Sequence, residues 1–505
     1  MANHLYDSLF GIHAGKETPF LHLPDGEVIT HGAFLQTAAR LAGALTALGL
    51  KPGDRVAVQV QKSPQALALC VACAQAGLVF LPLNTGYTVD ELSYFIENSG
   101  ASLVVCDASA QAGLAPVATQ LGAALETLNA DGSGTLTERA ESFPPAFDTV
   151  PRAPDDLAAF LYTSGTTGRS KGAMLTHDNL VSNAKTLADL WQFTKDDVLI
   201  HALPIFHLHG LFVATNVALA TGCSMIFHPR FDLNQVIAAL PSATAMMGVP
   251  TFYTRLLGDA RFTRELVAGM RLFISGSAPL LAETHAQFEA RTGHRILERY
   301  GMTETSMNTS NPYEGERRAG TVGFPLPGVE LKITDPETGA TLPTDTVGQI
   351  EVRGPNVFKG YWQMPEKTAA ELRDDGFFIT GDLGRVDADG YVHIVGRSKD
   401  LIISGGYNIY PKEIELVLDD APGVLESAVI GVPHPDFGET VLGVLVPAPG
   451  QTPDLDAIMA LVSNSLARFK HPRKLVLLDE LPRNTMGKVQ KNLLRDRYQG
   501  MFAKP

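Results

Sequence analysis

Apolar and polar residues alternate along Arg55-Val-Ala-Val-Gln-Val-Gln61, the period of a strand with one face on a core. Ser63-Pro64 follows. Serine is a good helix cap, and a proline in the first helical turn gives up an N–H that has no partner there anyway. The apolar run Ala66 to Ala76 is then closed by Gly77. Leu78–Leu83 and Ser102–Cys106 read as further short strands, and Val198–Leu203, Cys223–Phe227, Ala245–Val249 and Arg271–Ser275 continue the series. Repeated strand–helix alternation predicts an α/β chain whose sheets are covered by helices. Ala108 to Pro154, rich in Ala, Gly, Thr and Pro, reads as surface structure between two subdomains.

The pattern changes near Gly396-Arg-Ser-Lys-Asp400. Gly390–Val395 reads as a strand before it. After it Ile414–Leu418 and Leu455–Leu466 read as helices, and Glu426–Val432 and Val441–Val446 as strands. This is a compact α+β pattern of ordinary domain size. The expected division is a large N-terminal part, residues 1–398, and a small C-terminal lid, residues 399–505.

Charge narrows the partners. The 54 acidic residues exceed the 40 basic ones, for a net charge of -14, which argues against a nucleic-acid or anionic-membrane surface. Four cysteines are too few for a secreted disulfide framework. Cys70 and Cys73 form a C-x-x-C inside an apolar run with no second ligand pair, so helix packing explains them. Met1–Leu9 lacks the basic and apolar regions of a secretory signal. Ala66–Leu83 is broken by Gln75, Gly77 and Pro82, and divides into a helix and a strand rather than crossing a membrane. A cytoplasmic protein is expected.

Tyr162-Thr-Ser-Gly-Thr-Thr-Gly-Arg-Ser-Lys-Gly172 follows the apolar strand Leu157–Leu161. Gly165, Gly168 and Gly172 let the backbone turn tightly and bring N–H groups to an anion. Thr163, Ser164, Thr166 and Thr167 add hydroxyl donors, and Lys171 adds a compact charge. Lys171 is followed by glycine, so this is not a Walker A loop. The loop resembles that of the adenylate-forming superfamily of acyl-CoA synthetases, peptide-synthetase adenylation domains and luciferases. The resemblance recurs in order at Tyr300-Gly-Met-Thr-Glu304, Thr380-Gly-Asp382, Gly396-Arg-Ser-Lys-Asp400 and Pro482-Arg-Asn-Thr-Met-Gly-Lys488, and so covers essentially the whole chain. It implies the adenylate-forming enzyme fold, helix-covered sheets with a small mobile α+β lid. It also implies an ATP-dependent, AMP-forming acid:coenzyme A ligase that uses Mg²⁺.

By that resemblance the loop from Thr163 to Lys171 grips the β- and γ-phosphates of ATP. Glu304 is the magnesium ligand, and Thr303 bonds the α-phosphate. Ser277, Ala278 and Pro279 line the adenine, with Tyr300 stacking on it beside Gly301, and Asp382 and Arg397 hold the ribose. Lys488 is the catalytic residue, whose ammonium bridges the attacking carboxylate and the α-phosphate. In relatives this lysine is acetylated, so a lysine acetyltransferase and deacetylase are expected partners. Lys399 falls on the hinge. Gly406 leaves room for the coenzyme A thiol; its other reading is a plain left-handed turn.

Arg299 precedes Tyr300, and His207 and His209 stand in Pro204-Ile-Phe-His-Leu-His-Gly210, in segments with which the family reads its acid. A cation in an otherwise apolar pocket calls for a second anion on the substrate, and arginine suits bidentate carboxylate recognition. The pattern resembles the malonyl-CoA synthetases, which take malonate and sometimes methylmalonate. It implies that Arg299 fixes the distal carboxylate with Ser277 and His209, while His207 borders the reacting carboxyl. The other reading of Arg299 is a salt bridge to Glu298 or another acid outside the pocket. Three other functions stay open: a ligase for another short-chain or aromatic acid, a carrier-protein-loading adenylation enzyme, and a nucleotide-binding protein without catalysis. Glu304 and Lys488 together speak for catalysis. The sequence does not give the oligomeric state.

Overall fold

In the computed structural model, Ser63 caps the helix Pro64–Gln75 by accepting from the Ala66 N–H at 3.1 Å. The strand before it, Arg55–Gln59, lies at the middle of a six-stranded sheet. The structure describes residues 2–163, 170–404, 407–434, 437–466, 468–484 and 487–502. These divide into two compact units, Met1–Glu330 with Arg353–Phe378, and Leu331–Val352 with Ile379–Pro505.

The first unit holds two large sheets. One runs Ala124–Thr127, Leu103–Cys106, Arg55–Gln59, Val79–Pro82, Leu157–Thr163 and Lys171–Thr176, parallel until its last pair. The other has nine strands, with Val198–His201, Ala245–Gly248, Leu272–Ser275 and Leu297–Met302 as parallel neighbours at its centre. Leu272–Ser275 and Ala245–Gly248 are buried along their whole length, as strands covered on both faces must be. Among the described residues no helix is long and apolar enough to cross a membrane. Cys70 and Cys73 sit on the helix Pro64–Gln75 as free thiols.

Asp197 ties three of the central strands together where they begin. It stands just before Val198 and takes two bonds from Arg271, Nε to Oδ1 at 2.7 Å and Nη2 to Oδ2 at 2.8 Å. The Thr244 hydroxyl donates at 2.6 Å and the Thr194 N–H at 2.8 Å. Arg271 and Thr244 each precede the strands beginning at Leu272 and Ala245. The opposite, C-terminal ends of these strands are left to carry loops, the usual place for a ligand in a parallel sheet.

The second unit contains a four-stranded sheet, Glu330–Thr334, Gly348–Arg353, Phe378–Val386 and Val392–Arg397. Its α+β part pairs Val424–His434 with Gly438–Pro447, flanked by Lys474–Leu477, and packs Pro411–Asp419 and Leu455–Ser465 around Val429, Val441 and Leu445. The predicted division at 398/399 therefore falls inside this unit, in the short turn Ser398–Asp400. The physical reason is strand pairing: residues 331–352 hydrogen-bond to the strands of 378–397, so that sheet goes with the C-terminal residues. The 108–154 segment, read from the sequence only as surface structure, forms the helix Ala108–Leu121, the edge strand Ala124–Thr127 and the helix Thr135–Ala140. Only Leu114 and Ala118 of the first helix are buried, which hid its period in an Ala-rich run. Gly172 lies in a strand opposite Tyr162 rather than in a turn, and a Cβ there would meet the Phe160 ring at 2.2 Å.

Burial by itself would raise the Asp197 pKa, but the bonds from Arg271, Thr244 and Thr194 outweigh it and hold the carboxyl below the ordinary aspartate range. Asp197→Ala leaves Arg271 and Thr244 without their acceptor, and is expected to destabilise the protein by about 3 kcal/mol, read as a lower urea midpoint. A depressed folded pKa stabilises above the unfolded value of about 3.9 and loses that contribution as pH falls through the folded value. The gap between wild type and variant should therefore narrow below about pH 4.

Candidate active site

At the C-terminal ends of the central strands, Ser275-Gly276-Ser277 leaves one strand and Arg299 stands on the next, Leu297–Met302. Arg299 is 5% exposed. Its guanidinium lies against the Gly276 backbone so closely that a Cβ at 276 would be 2.3 Å from Cζ, so any side chain at 276 would displace the guanidinium. Nε and Nη2 of Arg299 are buried with no hydrogen-bond partner among the described residues. Desolvation pulls its pKa down to about 10, opposed by Tyr253, whose hydroxyl donates to the Ile274 carbonyl at 2.5 Å. Glu298 points the other way, as strand alternation requires, toward His285 Nδ1 at 3.6 Å and the Gly320 N–H at 3.3 Å. The Glu298 reading of Arg299 is thereby excluded.

His209 Nδ1 meets the Ser277 hydroxyl at 3.1 Å, and its Nε2 is buried without a partner. Burial, then the neighbouring Arg299 charge, hold His209 well below the usual histidine pKa, so it is neutral. Ser277 has φ +70 and Ser306 φ +49, left-handed values that serine adopts only under constraint. The Ser275 and Ser306 hydroxyls are also buried without partners. His207 is half-buried, its ring 4.9 Å from that of Phe206. The structure places Arg299, His209 and Ser277 beside one another. Ala278 is half-buried and Pro279 exposed, on the same segment.

A second cluster of the first unit surrounds Glu304, a buried carboxylate whose Oε1 is 3.0 Å from the Tyr361 hydroxyl. That hydroxyl is also 2.8 Å from Glu371 Oε2. Burial and the two carboxylate charges raise the Tyr361 pKa far above its usual value. Lys171 joins the cluster with Nζ 3.7 Å from Glu371 and 4.3 Å from the centre of the Tyr361 ring. Thr163 pairs with Lys171 where the two strands of the loop diverge. Ser164, Gly165, Thr166, Thr167 and Gly168 lie outside the described residues. Thr303 and Tyr300 are half-buried near Glu304 in sequence, and Gly301 accommodates the Ser306 carbonyl where a Cβ would come within 2.0 Å. Tyr361, Glu371, Tyr253 and Gly276's part under the guanidinium are absent from the sequence reading. Gly360-Tyr-Trp362 was the available signal for the first of these.

In the second unit Asp382 and Arg397 are cross-strand partners, with Nε 3.0 Å from Oδ1, so two candidate ribose residues do meet. Gln349 secures the Asp382 carbonyl at 3.0 Å, and its own Oε1 accepts from Ser398 at 3.0 Å. Lys399 is exposed in the turn that follows. Lys488 is exposed on a tight loop, its N–H bonded to Asn484 Oδ1 at 3.0 Å and its carbonyl accepting from the Asn484 N–H at 2.9 Å. Gly487 takes φ +73 within that loop, and Arg483 anchors it by bonding the Gly487 carbonyl at 2.5 Å and Glu426. Gly406 lies outside the described residues.

Residues 13–362 match the AMP-binding enzyme family, and residues 413–488 match the AMP-binding enzyme C-terminal domain. The chain belongs to this family. It is an AMP-forming CoA ligase of mixed α/β fold, with a large N-terminal and a small C-terminal domain. A feruloyl-CoA synthase from Amycolatopsis is 37% identical over 94% of each chain. A malonate–CoA ligase from Arabidopsis thaliana is 36% identical over 88% of this chain and 78% of its own. The crystal structure of ATP-bound MatB from Rhodopseudomonas palustris is 57% identical, covers 99% of both chains and superposes with a TM-score of 0.96.

Replacing Gly276 by Ala puts a methyl group where the guanidinium lies. Gly276→Ala is expected to raise the KM for the carboxylic acid by at least about tenfold, or about 1.4 kcal/mol, while leaving thermal stability close to wild type. Steady-state kinetics beside a thermal melt reads both.

Proposed function

We propose that this ligase activates malonate, and methylmalonate less readily, as the acyl-adenylate and then forms the coenzyme A thioester. The observation that carries the reading is the buried Arg299 guanidinium with Nε and Nη2 unsatisfied. An unpaired buried cation is costly, and the distal carboxylate of a dicarboxylic acid supplies the bidentate partner that a monocarboxylate lacks. His209, held neutral, and Ser277 add hydrogen bonds without adding charge, and His207 borders the reacting carboxyl. The malonate–CoA ligase relative supports the substrate. The feruloyl-CoA synthase relative, of similar identity, does not explain a buried cation.

In the first half-reaction a substrate carboxylate oxygen forms a bond to the α-phosphorus of ATP and pyrophosphate leaves. Lys488 stabilises the charge that gathers on the phosphoryl oxygens, and Thr303 bonds one of them. Thr163, Ser164, Gly165, Thr166, Thr167, Gly168 and Lys171 hold the β- and γ-phosphates. Ser277, Ala278, Pro279, Tyr300 and Gly301 receive the adenine, and Asp382 and Arg397 the ribose. Glu304 suits Mg²⁺, a hard cation satisfied by one carboxylate together with phosphates and water, and Tyr361 fixes one of its oxygens. No cluster of three or more acidic, His or Cys side chains that would hold a metal unaided occurs among the described residues. Bound there, the ion screens phosphate charge. In the second half-reaction the coenzyme A sulfur attacks the acyl carbon, AMP departs and the thiol proton is lost to solvent. Gly406 leaves the thiol its path, and residues 399–505 turn about Lys399 between the two steps as a mobile lid. The exposed Lys488 is open to acetylation, which would abolish its charge.

An assay of pyrophosphate release with malonate, methylmalonate, acetate, benzoate and ferulate tests the substrate. Malonate is expected to exceed acetate in kcat/KM by at least about 100-fold. Arg299→Ala should lose a comparable factor on malonate with little change in the KM for ATP. Undiminished malonate activity in that variant would overturn the acid assignment. Lys488→Ala, and enzyme acetylated at Lys488, should lose pyrophosphate release yet still make thioester from supplied acyl-adenylate.

A further inference from the structure

Lys62 is buried in the first unit between the strand Arg55–Gln59 and the helix Pro64–Gln75. Every N–H of its ammonium is engaged. Nζ reaches His201 Nδ1 at 2.7 Å, the His201 carbonyl at 2.8 Å and the Leu203 carbonyl at 3.0 Å, and lies 4.2 Å from the centre of the Phe227 ring. All three acceptors belong to the few residues that end the strand Val198–His201 and begin the loop toward His207 and His209. Burial lowers the lysine's pKa, while the three acceptors and the ring face favour its charged form.

The Gly210 carbonyl beside Nε2 can only accept, so the His201 hydrogen lies on Nε2 and Nδ1 accepts from Lys62. The imidazole is then neutral with its hydrogen on Nε2, and Nε2 stands 2.9 Å from the Gly210 carbonyl. The Thr215 hydroxyl donates to the same carbonyl at 2.9 Å. Gly210 is held from its other side too, since a Cβ there would lie 2.1 Å from the Pro204 carbonyl oxygen. The His201 side chain thus closes the segment 201–210 into a ring. Gly210 is the residue after His209, whose Nδ1 must arrive within hydrogen-bond reach of Ser277. The opposite tautomer would place a lone pair on Nε2 against the Gly210 carbonyl and push the loop open.

We propose that Lys62 is a positioning residue for the acid site. Its ammonium fixes the His201 tautomer, and through the His201–Gly210 bond sets where His209 presents its imidazole. The inference rests on the acid-site reading of His209 but not on malonate being the acid, because the test uses whichever acid the wild-type enzyme turns over best.

Lys62→Met is one atom shorter, keeps the apolar stem and removes the donors. The KM for the acid is expected to rise about tenfold or more, with the KM for ATP within about twofold of wild type. Lys62→Gln, one atom shorter but still a donor, should lie between wild type and Lys62→Met, and it carries the same comparison if the methionine variant fails to fold. The deciding measurement is a double-mutant cycle with His209→Ala. If Lys62 acts through His209, Lys62→Met (or Lys62→Gln) adds little further to the acid KM of His209→Ala. Fully multiplicative effects, or parallel losses in acid and ATP KM, overturn the proposal. A His209→Ala enzyme with wild-type acid KM would instead overturn the acid-site reading itself.

Discussion

The Arg299 guanidinium is buried with donors unspent, and the surrounding structure is organised around keeping it so. A charge taken out of water is tolerated only where something offsets it or where the fold is stable enough to carry the cost. Here no carboxylate among the described residues bonds the buried Nε and Nη2. Glu298, the nearest in sequence, is turned to the opposite face by strand alternation. Gly276 gives the guanidinium a flat bed, and the Tyr253 phenol stands on an ordered carbonyl beside it. His209 is kept neutral partly by Arg299 itself, so the cation prevents a second positive charge from forming next to it. The rigidity that permits this begins at the other end of the same strands, where Asp197, Arg271, Thr244 and Thr194 form one hydrogen-bonded knot. Stability is concentrated at the strands' beginnings and unsatisfied polar groups at their ends.

The same separation appears in backbone conformation. Ser277 and Ser306 hold left-handed φ values beside buried hydroxyls, where a glycine would cost less. Residues kept in a costly conformation mark places where a side chain is needed more than ease of folding. In the second unit the loop bearing Lys488 uses glycine for its left-handed position, and fixes the rest with Asn484 and Arg483. Its lysine needs a defined exit from the backbone, and the neighbouring side chains supply that.

Much of this was legible in the chain. The period-two run at Arg55, the Ser63-Pro64 cap and the apolar strands at 198, 245 and 271 come out in the structure within a residue or two, because each is set by local pattern and burial together. The ordered motifs led to the family, and Arg299 stood out as a cation among residues expected to line a pocket. What stayed hidden depends on partners distant in sequence. Residues 331–352 carry no sign that they pair with 378–397, and Tyr361 is an aromatic after a glycine until Glu304 and Glu371 are seen on either side of its hydroxyl. Gly172 looked like turn chemistry because it follows a glycine-rich loop, whereas the Phe160 ring dictates it.

Lys62 and Arg299 show why burial of a cation does not by itself indicate a ligand. Both are buried in the first unit and both are pulled down in pKa by desolvation. Lys62 spends all three N–H groups on acceptors of the chain and lays its charge on a ring, so its charge is consumed in holding one loop. Arg299 has a planar fork suited to a carboxylate and leaves part of that fork unbound. Counting satisfied donors separates a charge spent inside the protein from one whose donors the described residues leave unbound. The two are also connected in order: the loop that Lys62 steadies delivers His209, and His209 completes the polar wall beside Arg299. A flexible, strongly hydrated ammonium suits the first task because it can satisfy three diverging acceptors, and under the proposed function a rigid guanidinium suits the second because its geometry is set before a carboxylate arrives.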